Sequence, residues 1–400
     1  MLKNIQQYRQ WQEKIVLVRV DFNVPLHKKK IIDDSRIIAT LPTIEYLREK
    51  GAIVVLMTHV GRPDGRVVKE LSVTPIQERL SQLLERPVTM LQTKDWRLSD
   101  RKKIAVLTQL HMLQAGDVAI LENIRFSAKD EMNDDAFAQE LATLADVYVF
   151  DGFGVAHRDS ASVNGVAAYL PAYAGLLLQK EVLALNKVIN PTRTPLVAIL
   201  GGAKMETKIP IMTKLLPVAD RILIGGCLLT TYLWAAGYGV GNSLIEKAHK
   251  KDILAACRSK KVLLPLDVVV GDRRGLSYRV VQIEKKPHML CKKGEAIFDI
   301  GPKTILAYAK IIKQAQTLIL NGALGYYEQS PYHIGTLAIA RLIASQSKGK
   351  AFGVIGGGET IDAMQQTGMI DDIDHVSTGG GAMLSYLSGD VLPGIAVVSK

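Results

Sequence analysis

Short apolar runs alternate with longer amphipathic stretches from one end of this chain to the other. In the longer stretches the apolar residues recur at helical spacing, which predicts helices over 36–50, 74–85, 134–145, 205–216 and 303–315. The short runs between them predict buried β-strands. Strands that alternate with helices in this way indicate an α/β fold built on doubly wound parallel sheets.

The length of the chain predicts more than one domain. With 400 residues it exceeds what one ordinary core accommodates, and two α/β domains of similar size are expected. A helical pattern at 175–190 stops at Pro191, since proline is not tolerated in a helix interior. We therefore predict Rossmann-like domains over 1–174 and 191–384, joined by a hinge helix over 175–190.

In the second half of the chain, five apolar runs end at small residues that leave the backbone bare. Glycine lets an anion approach the main chain, and the first turn of a following helix points N–H groups at it. Such turns at the ends of several parallel strands indicate a nucleotide site. The runs are LVAILGGAK (196–204), RILIGGC (221–227), TLILNGALG (317–325), FGVIGGGET (352–360) and HVSTGGGA (375–382).

In the first half, the apolar runs end instead at charged or hydrogen-bonding side chains. Arginine at strand ends suits a small and highly anionic ligand, because its planar guanidinium binds phosphate or carboxylate at two points. One half therefore predicts a nucleotide site and the other a site for a small acid. The side chains at these ends are Asp21, Asn23, His59, Arg62, Arg125, Asp151, His157 and Arg158.

Composition narrows the class of protein. Apolar residues make up 48% and charged residues 22%, which is typical of a globular protein. Three widely spaced cysteines form no C-x-x-C or zinc spacing and fit a reducing cytosol, and the polar first residues predict no signal peptide. The net charge of +11 makes nucleic-acid binding an alternative, but no nucleic-acid motif accompanies it. We favour a diffuse positive field that attracts small polyanions.

One uncharged stretch, 222–245, is long enough to span a bilayer. Glycines divide it into a short strand, a turn, a helix and a loop. We therefore predict a buried strand and helix here, and no membrane association.

Two lysines follow the first glycine turn. A cation at the start of a helix faces the positive end of the helix dipole, a cost that a bound phosphate would reverse. Lys204 is therefore a candidate phosphate ligand, and the alternative is a side chain that extends into solvent. Lys208 lies one turn further on, where both ammonium groups can share one face of the helix.

Two further residues carry open alternatives. Arg36 follows Asp33 and Asp34 at the start of a predicted helix, so it either binds an anion or pairs with one of these carboxylates. Glu359 follows Gly356, Gly357 and Gly358, where it either holds magnesium beside nucleotide phosphates or stabilises its own helix. No H-E-x-x-H, G-x-S-x-G, Walker or G-x-G-x-x-G pattern occurs, which disfavours a typical P-loop or nicotinamide enzyme.

Nine ordered motifs resemble those of phosphoglycerate kinase. The resemblance runs from about Val16 to Ser399 and implies in-line transfer of the acyl phosphate of 1,3-bisphosphoglycerate to ADP with Mg²⁺, giving 3-phosphoglycerate and ATP. It implies that 1–174 binds the glycerate, that 191–384 binds ADP or ATP, that 385–400 folds back onto the amino-terminal domain, and that the protein is a cytoplasmic monomer. The motifs are VRVDFNVP, THVGRPDG, LENIRF, DGFGVAHR, ILGGAK, DIGPKT, NGALG, IGGGET and VSTGGGA.

The resemblance also implies roles for individual residues. For 3-phosphoglycerate these are Asp21, Phe22, Asn23, Arg36, His59, Val60, Gly61, Arg62, Arg125 and Arg158. For the transferring phosphoryl group they are Arg36 and Lys204, with Gly380 stabilising charge nearby. For the nucleotide they are Lys204, Lys208, Asn321, Glu328, Gly357, Gly358, Glu359 and Thr360, with Glu359 as the magnesium ligand.

Four residues depart from the family pattern, and all are on the nucleotide side. Thr207 replaces an aspartate that often precedes the second lysine, Cys227 replaces a glycine and Ala323 replaces a proline. Glu359 replaces the usual aspartate, so its carboxylate must reach the metal differently. We therefore hypothesise weaker or altered nucleotide use, which titration with MgADP and MgGDP would test. The alternatives are a non-catalytic paralogue, against which the intact arginines and lysines argue, a nucleic-acid-binding protein and, least favoured, a dehydrogenase.

Overall fold

The structure, a computed structural model, describes residues 2–28, 30–91, 93 and 100–399, and for 100–104 it describes the main chain alone. The chain divides into two compact units, one formed by 1–182 together with 391–400 and the other by 183–390. The predicted domain ranges also include positions that lie outside the described residues, namely Met1, Lys29, Gln92, 94–99 and Lys400.

The first unit is built on a parallel sheet with helices between its strands. Its strands are β1 (Ile15–Arg19), β2 (Leu26–His27), β3 (Lys30–Ile31), β4 (Ile53–Met57), β5 (Val88–Met90), β6 (Val118–Ile120), β7 (Val147–Phe150) and β8 (Ala172–Ala174). Its helices are α1 (Ser35–Glu49), α2 (Thr74–Leu83), α3 (Asp100–His111), α4 (Ala128–Glu131) and α5 (Asp135–Ala142). In the described ranges, six strands pair in the order β5-β6-β4-β1-β7-β8, while β2 and β3 form an antiparallel hairpin.

Local sequence explains how these helices begin and which face they bury. In α2 a proline stands at the start of the helix, where its missing N–H costs nothing, and Ile76 and Leu80, four residues apart, are buried. In α5 the Asp134 carboxylate accepts a hydrogen bond from the N–H of Phe137 at 2.9 Å and caps the helix. Helix α2 therefore packs its apolar stripe into the core formed with the sheet, next to β5, whereas α5 packs against the segments Ala161–Gly165 and Val166–Ala168.

The boundary between the two units falls within helix α6 (Leu176–Ile189), which occupies the segment predicted to be helical. The strands of the second unit are β9 (Leu196–Leu200), β10 (Arg221–Ile224), β11 (Val262–Leu263), β12 (Asp267–Gly271), β13 (Tyr278–Gln282), β14 (Ala296–Ile300), β15 (Thr317–Asn321), β16 (Phe352–Ile355) and β17 (His375–Val376). Its helices are α7 (Met205–Leu215), α8 (Gly226–Ala235), α9 (Lys250–Ala256), α10 (Pro302–Ile312), α11 (Ile334–Gly349), α12 (Gly358–Gln366) and α13 (Gly380–Ser388). The last helix of the chain, α14 (Pro393–Ala396), belongs to the first unit.

Two doubly wound parallel sheets confirm the predicted fold class. In the second unit the described strands of the main sheet pair in the order β11-β10-β9-β15-β16-β17, all of them parallel. The second unit also contains an antiparallel sheet, β13-β12-β14, which the sequence pattern did not predict. Because β13 alternates exposed and half-buried residues, it lacks the continuous apolar run that identified the parallel strands.

The uncharged stretch at 222–245 folds as predicted into a buried strand and a buried helix. It contains most of β10, whose last three residues are buried, and α8, of which six residues are buried. Among the helices of the described residues, none is long and apolar enough to cross a membrane.

Candidate active-site residues in the two units

The first unit gathers the predicted acid-binding residues at one edge of its parallel sheet. Strands β6, β4, β1 and β7 are neighbours that run in one direction, so the segments after their carboxyl ends meet there. The residues at this edge are Asp21, Phe22 and Asn23 after β1, His59, Val60, Gly61 and Arg62 after β4, Arg125 after β6 and Arg158 after β7.

Arg36, in the first turn of α1, binds the first of these segments. Its Nη1 donates to Asp21 Oδ2 at 2.6 Å and lies 3.4 Å from the carbonyl oxygen of Asn23. Asp33 and Asp34 accept hydrogen bonds from other residues, so the alternative in which one of them pairs with Arg36 is wrong. The Arg36 side chain is 32% exposed, which leaves part of its guanidinium open to an anion in solvent.

His59 is buried among positive charges. Its Nδ1 lies 3.4 Å from Nη2 of Arg19 and 3.8 Å from Oδ1 of Asp21. Burial, reinforced by the charges of Arg19 and Arg125, lowers the pKa of His59 well below its ordinary value, so the imidazole is neutral near pH 7. Its Nε2 is buried and has no hydrogen-bond partner among the described residues, which makes this atom available to a ligand.

Hydrogen bonds from main-chain N–H groups to side-chain oxygens fix the loops after β1 and β4 to each other. The side-chain oxygen of Asn23 accepts the N–H of Gly61 at 2.9 Å, and the N–H of Phe22 donates to Thr58 Oγ1 at 2.9 Å. The side chains of Phe22 and Val60 are buried in the core. These two residues therefore offer a ligand their backbone rather than their side chains.

The arginines at this edge differ in burial and in partners. Arg125 is 3% exposed, and its Nη1 donates to the carbonyl oxygen of Gly61 at 3.2 Å. Its Nη2 lies 3.1 Å from Glu131 Oε1, and the same oxygen lies 3.9 Å from Nη1 of Arg158. Burial, with the charge of Arg158 added to it, lowers the pKa of Arg125. Arg62 is exposed and makes no side-chain hydrogen bond within the part of the chain that the structure describes.

Arg19 is a functional candidate that the sequence reasoning missed. It is 1% exposed at the end of β1, and it donates to the carbonyl oxygen of Val20, to Ser162 Oγ at 3.1 Å and to the carbonyl oxygen of Met57 at 3.4 Å. These bonds hold its guanidinium beside His59. The sequence did contain a signal, because Arg19 is a charged residue inside the apolar run VLVRV. An arginine is rarely buried without a partner, so its place in a buried strand indicates that it is held there by specific contacts.

Asn123 is a second residue that was missed. Its Nδ2 donates to the carbonyl oxygens of Val60 and Leu71, both at 2.8 Å, and its Oδ1 accepts the N–H of Arg125 at 3.1 Å. One fully buried amide therefore ties the segment that carries Arg125 to the segment that ends in Gly61. Its position just before IRF in the motif LENIRF was the only signal in the sequence.

In the second unit the predicted nucleotide residues converge at the carboxyl ends of β9, β15 and β16. The buried Lys208 donates through Nζ to Oδ1 of Asn321, the last residue of β15. The Nδ2 of Asn321 donates to the carbonyl oxygen of Gly356 at 2.6 Å, and the N–H of Gly322 donates to Thr360 Oγ1 at 2.7 Å. These bonds join the glycine turns after β15 and β16 to helix α7.

The two lysines of this edge lie in different surroundings. Lys208 is buried, and this burial lowers its pKa to about 8, although the charge of Glu359 opposes the shift. Lys204 stands at the N-cap of α7 with an exposed side chain, which makes no hydrogen bond among the described residues. An anion at the start of α7 could therefore meet one solvated and one desolvated ammonium group.

Three glycine turns approach one another closely around Glu359. A methyl group added to Gly202 would lie 3.2 Å from Glu359 Oε2 and 3.3 Å from Cε of Lys208. A methyl group added to Gly380, at the start of α13, would lie 3.3 Å from the Cα of Gly357. Gly357 adopts a φ of 97° at the N-cap of α12, a conformation that a residue with a side chain rarely takes.

Two other predicted residues have open surroundings. Gly358, the first residue of α12, is exposed, and a methyl group there would meet no described atom within 4 Å. Its N–H group is among the free donors of the first helical turn. Glu328 is exposed in the turn after β15, and no hydrogen bond in the described structure links it to the cluster around Glu359.

The residues around Glu359 fit a magnesium ion carried by a substrate. The described part of the chain contains no group of three or more His, Cys, Asp or Glu side chains that could hold a metal by itself. Magnesium, however, keeps several waters and usually binds through one or two carboxylates together with substrate phosphates. The single exposed carboxylate of Glu359, beside glycine turns with free N–H groups, matches that requirement.

The departures from the family pattern lie in the framework of this edge. Cys227, in the first turn of α8, is buried, and its N–H donates to the carbonyl oxygen of Gly202 at 2.9 Å. The carbonyl oxygen of Ala323 accepts the N–H of Gly202 at 2.6 Å. Thr207 Oγ1 donates to the carbonyl oxygen of Lys204 at 3.1 Å. Cys227 and Ala323 therefore bond to the turn at Gly202, whereas Thr207 bonds within the start of its own helix.

Taken with the fold, the two edges define the class of protein. One doubly wound unit presents arginines around a neutral histidine, and the other presents glycine turns with two lysines and a carboxylate. An arginine-rich edge in one unit and a glycine-rich edge in the other are typical of a two-domain α/β phosphotransferase.

Comparisons with known proteins identify the family within this class. The family model for phosphoglycerate kinase matches residues 5–390. The chain is 43% identical to the phosphoglycerate kinase of Herpetosiphon aurantiacus and 44% identical to that of a Roseiflexus species, each over 397 residues. Both alignments cover 97% of this chain and 97% of the relative. The solved structure of the Coxiella burnetii phosphoglycerate kinase matches with a TM-score of 0.85 at 34% identity, covering 100% of this chain and 99% of that one. The chain belongs to the phosphoglycerate kinase family.

Family membership confirms the enzyme class that the sequence predicted. The protein is a kinase of glycolysis that uses a nucleotide substrate. The solved structure of the Pyrococcus horikoshii phosphoglycerate kinase, with a TM-score of 0.82 at 31% identity, shares the fold over 99% of the chain.

Proposed function

We propose that this protein transfers the acyl phosphate of 1,3-bisphosphoglycerate to MgADP, reversibly, with residues of the first unit holding the glycerate and residues of the second holding the nucleotide. The observation that carries the proposal is a cluster of arginines whose charges act on the neutral His59, two of which, Arg19 and Arg125, are buried. Burying two like charges is costly, and the cost is offset when a polyanionic ligand binds there. A protein that only kept the fold would have no use for such a cluster.

In the first unit we assign the non-transferred phosphate to the arginine-rich end of the edge. Arg125 and Arg158 each have a buried Nε without a partner among the described residues, so each can donate to a phosphate oxygen. His59 offers Nε2 there, and the exposed Arg62 adds charge at the rim.

At the other end of the edge we assign the carboxyl and hydroxyl groups of the glycerate to Asp21, Asn23 and the nearby backbone. The main chain of Phe22, Val60 and Gly61 completes this part of the site. Oδ1 of Asp21 is buried and has no hydrogen-bond partner in the described residues, so it can accept a hydrogen bond from a substrate hydroxyl.

We assign the transferring phosphoryl group to Arg36 and Lys204. An acyl phosphate is already activated, so the enzyme needs to align the reactants and spread the charge of the transition state rather than form a phosphoenzyme. In the first unit Arg36 is bonded to Asp21, and in the second unit Lys204 stands at the N-cap of α7. The N–H groups that begin α13, at Gly380, would stabilise charge on the same group.

In the second unit we assign the nucleotide phosphates to Lys208, Asn321 and the first turn of α12. The N–H groups of Gly357 and Gly358 can donate to an anion at the start of α12, and the Thr360 hydroxyl, which accepts the N–H of Gly322, can donate its proton there as well. Glu359 would hold Mg²⁺, and the ion would neutralise part of the phosphate charge during transfer. Glu328 is the candidate ligand for the ribose.

A coupled assay tests the function directly. With 3-phosphoglycerate, ATP and Mg²⁺ supplied, we expect ADP to form at a rate that depends on all three components. Omission of 3-phosphoglycerate is the control, because it reports any ATP hydrolysis by itself. A rate of ADP formation that did not depend on 3-phosphoglycerate would contradict the proposal.

We further propose that the protein is a cytoplasmic monomer that binds neither nucleic acid nor membrane. Its excess positive charge, +11 overall, would then serve to attract small anionic substrates. Sedimentation at several concentrations should give one species of monomer mass. A gel shift with duplex DNA at physiological salt should show no complex, and a stable shift would contradict this part of the proposal.

A further inference from the structure

A carboxylate lies between the two arginines that we assign to the non-transferred phosphate. Glu131, the last residue of α4, places one oxygen 3.1 Å from Nη2 of Arg125 and 3.9 Å from Nη1 of Arg158. A phosphate bound by both arginines would need the same space between their guanidinium groups. No pattern in the sequence singles out Glu131.

The Glu131 side chain can move away from the two arginines while the backbone of α4 keeps its position. The neighbouring Asp130 is buried and accepts the N–H of Ser162 at 2.9 Å, which anchors the end of α4. The Glu131 side chain is 46% exposed, so its ion pair is screened by water and contributes little to stability. A carboxylate in this position can therefore be displaced without local unfolding.

The arginines, by contrast, need an anion. Arg125 is almost fully buried, and the positive charge of Arg158 is one of the forces that lower its pKa. Each arginine also keeps one buried Nε without a partner in the described residues. Glu131 thus supplies one negative charge to a cluster with unused donors, while a phosphate dianion would supply two charges and more acceptor oxygens.

We propose that Glu131 is an internal substitute for the substrate's phosphate, which holds Arg125 and Arg158 in place in the free enzyme and is displaced when 3-phosphoglycerate binds. The proposal rests on the assignment of these arginines to the non-transferred phosphate. Its consequence is a charge threshold. A phosphate dianion outcompetes the carboxylate, whereas a ligand that carries only a carboxylate does not.

Calorimetric titration of the full-length protein without nucleotide tests the proposal. The ligands are 3-phosphoglycerate, inorganic phosphate and glycerate, and the proteins are wild type, Glu131→Gln and the control Glu45→Gln. The control removes a carboxylate 40% exposed that pairs with the largely buried Arg48 at 2.6 Å, so it matches the change in net charge and in ion pairing elsewhere in the same unit.

In Glu131→Gln we expect the affinity for 3-phosphoglycerate and for inorganic phosphate to rise about tenfold, because the competing charge is gone. Glycerate, which lacks the phosphate, should gain far less. Glu45→Gln should match the wild type with all three ligands. A third variant, Glu131→Asp, keeps the charge on a shorter side chain and should fall between the wild type and Glu131→Gln.

The outcomes separate this inference from the proposed function. If the wild type binds 3-phosphoglycerate but Glu131→Gln binds it equally or more weakly, Glu131 only positions the arginines and the inference is wrong. An equal gain in Glu45→Gln would show a general effect of net charge and would also overturn it. If no variant binds 3-phosphoglycerate, the proposed function itself fails.

Discussion

Three arginines in the first unit show how burial gives one residue type different tasks. Arg125 is 3% exposed and held by main-chain and carboxylate oxygens, so its position is fixed before a ligand arrives. The side chain of Arg36 is 32% exposed and held mainly by Asp21, which lets it adjust to a reacting group. Arg62 is exposed and contributes charge rather than geometry. We therefore expect substitutions of these residues to have distinct kinetic effects.

Arg36→Ala should lower kcat about a thousandfold, by analogy with other arginines that contact a transferring phosphoryl group. The KM for 3-phosphoglycerate should change much less, because the phosphate arginines remain. The coupled assay measures both constants, and calorimetry should show unchanged MgADP affinity, since that ligand is assigned to the other unit. The exposed Arg86→Ala is the control and should behave as wild type. Near-normal turnover in Arg36→Ala would remove this residue from the mechanism.

As a proposed nucleotide ligand, Lys208 should make nucleotide binding dependent on pH. Burial lowers the pKa of Lys208 to about 8, so the ammonium form that attracts phosphate predominates below this pH and is lost as the pH rises through it. We expect the affinity for MgADP, measured by calorimetry, to fall about tenfold between about pH 7 and about pH 9.5.

Two variants show whether this dependence belongs to Lys208. Lys208→Met should bind MgADP weakly at every pH and lose most of the dependence. Lys214→Met, which changes an exposed lysine on the same helix, should keep the wild-type profile. An unchanged pH profile in Lys208→Met would assign the titration to another group.

For single residues, the sequence predicted which polar side chains stand at strand ends but not which residues they bond to. The position of Arg36 in the first turn of a helix predicted that it binds an anion or pairs with Asp33 or Asp34. Its bond with Asp21 joins residues from different elements and was not predicted. Arg19, Asn123 and Glu131 were missed for the same reason. Arg19 and Asn123 act through contacts with residues far along the chain, and Glu131 joins the nearby Arg125 to the more distant Arg158, which spacing in a single sequence does not reveal.

Between elements, Asn123 is one of the residues that hold together the loops at the proposed acid-binding edge. Asn123→Asp keeps the acceptor for the N–H of Arg125 but removes both donors to Val60 and Leu71. We expect the KM for 3-phosphoglycerate to rise about tenfold with a smaller change in kcat, because the loop carrying Gly61 loses one of its anchors. The loss of these buried hydrogen bonds should also lower the free energy of unfolding by about 1–3 kcal/mol.

The control for this change is Gln77→Glu. It removes an amide that donates to the carbonyl oxygen of Val88 at 2.7 Å, on α2 of the same unit. Denaturant titration should show a comparable loss of stability, but the KM should stay at the wild-type value. A parallel rise of KM in both variants would show that lower stability, not loop geometry, weakens binding.

Elements were predictable where hydrophobic spacing decides them, and less so at their ends. The helix predicted over 74–85 is α2, which ends at Leu83 because Glu85 adopts a left-handed φ of 52°. A glycine would have signalled that turn, but a glutamate does not. The helix predicted over 303–315 begins one residue earlier, at Pro302, since proline suits the first turn.

For the whole molecule, the informative feature was the contrast between the two halves of the sequence. Glycine turns bind anions through the backbone, and arginines at strand ends bind them through the side chain. Each can be read from residue type alone, so the contrast could be seen without a structure. The antiparallel sheet β13-β12-β14 could not, because a strand with only partly buried residues resembles a loop in composition. Overall charge is the other property that the sequence states completely.

The net charge of +11 should make the capture of anionic substrates sensitive to salt. Raising the ionic strength from about 0.1 M to about 1 M shortens the Debye length from about 10 Å to about 3 Å, which screens the field of distant charges but not contacts with buried arginines. We expect the KM for 3-phosphoglycerate to rise several-fold over this range while kcat changes little.

A variant in which Lys285, Lys286, Lys292 and Lys293 are changed to glutamine separates the long-range field from the site. These lysines belong to the second unit and lie outside the residues assigned to ligands. The variant should have a higher KM than wild type at low salt and the same KM at high salt, because only the screened contribution is lost. A difference that persisted at high salt would mean that these lysines act through structure rather than through the field of the whole protein.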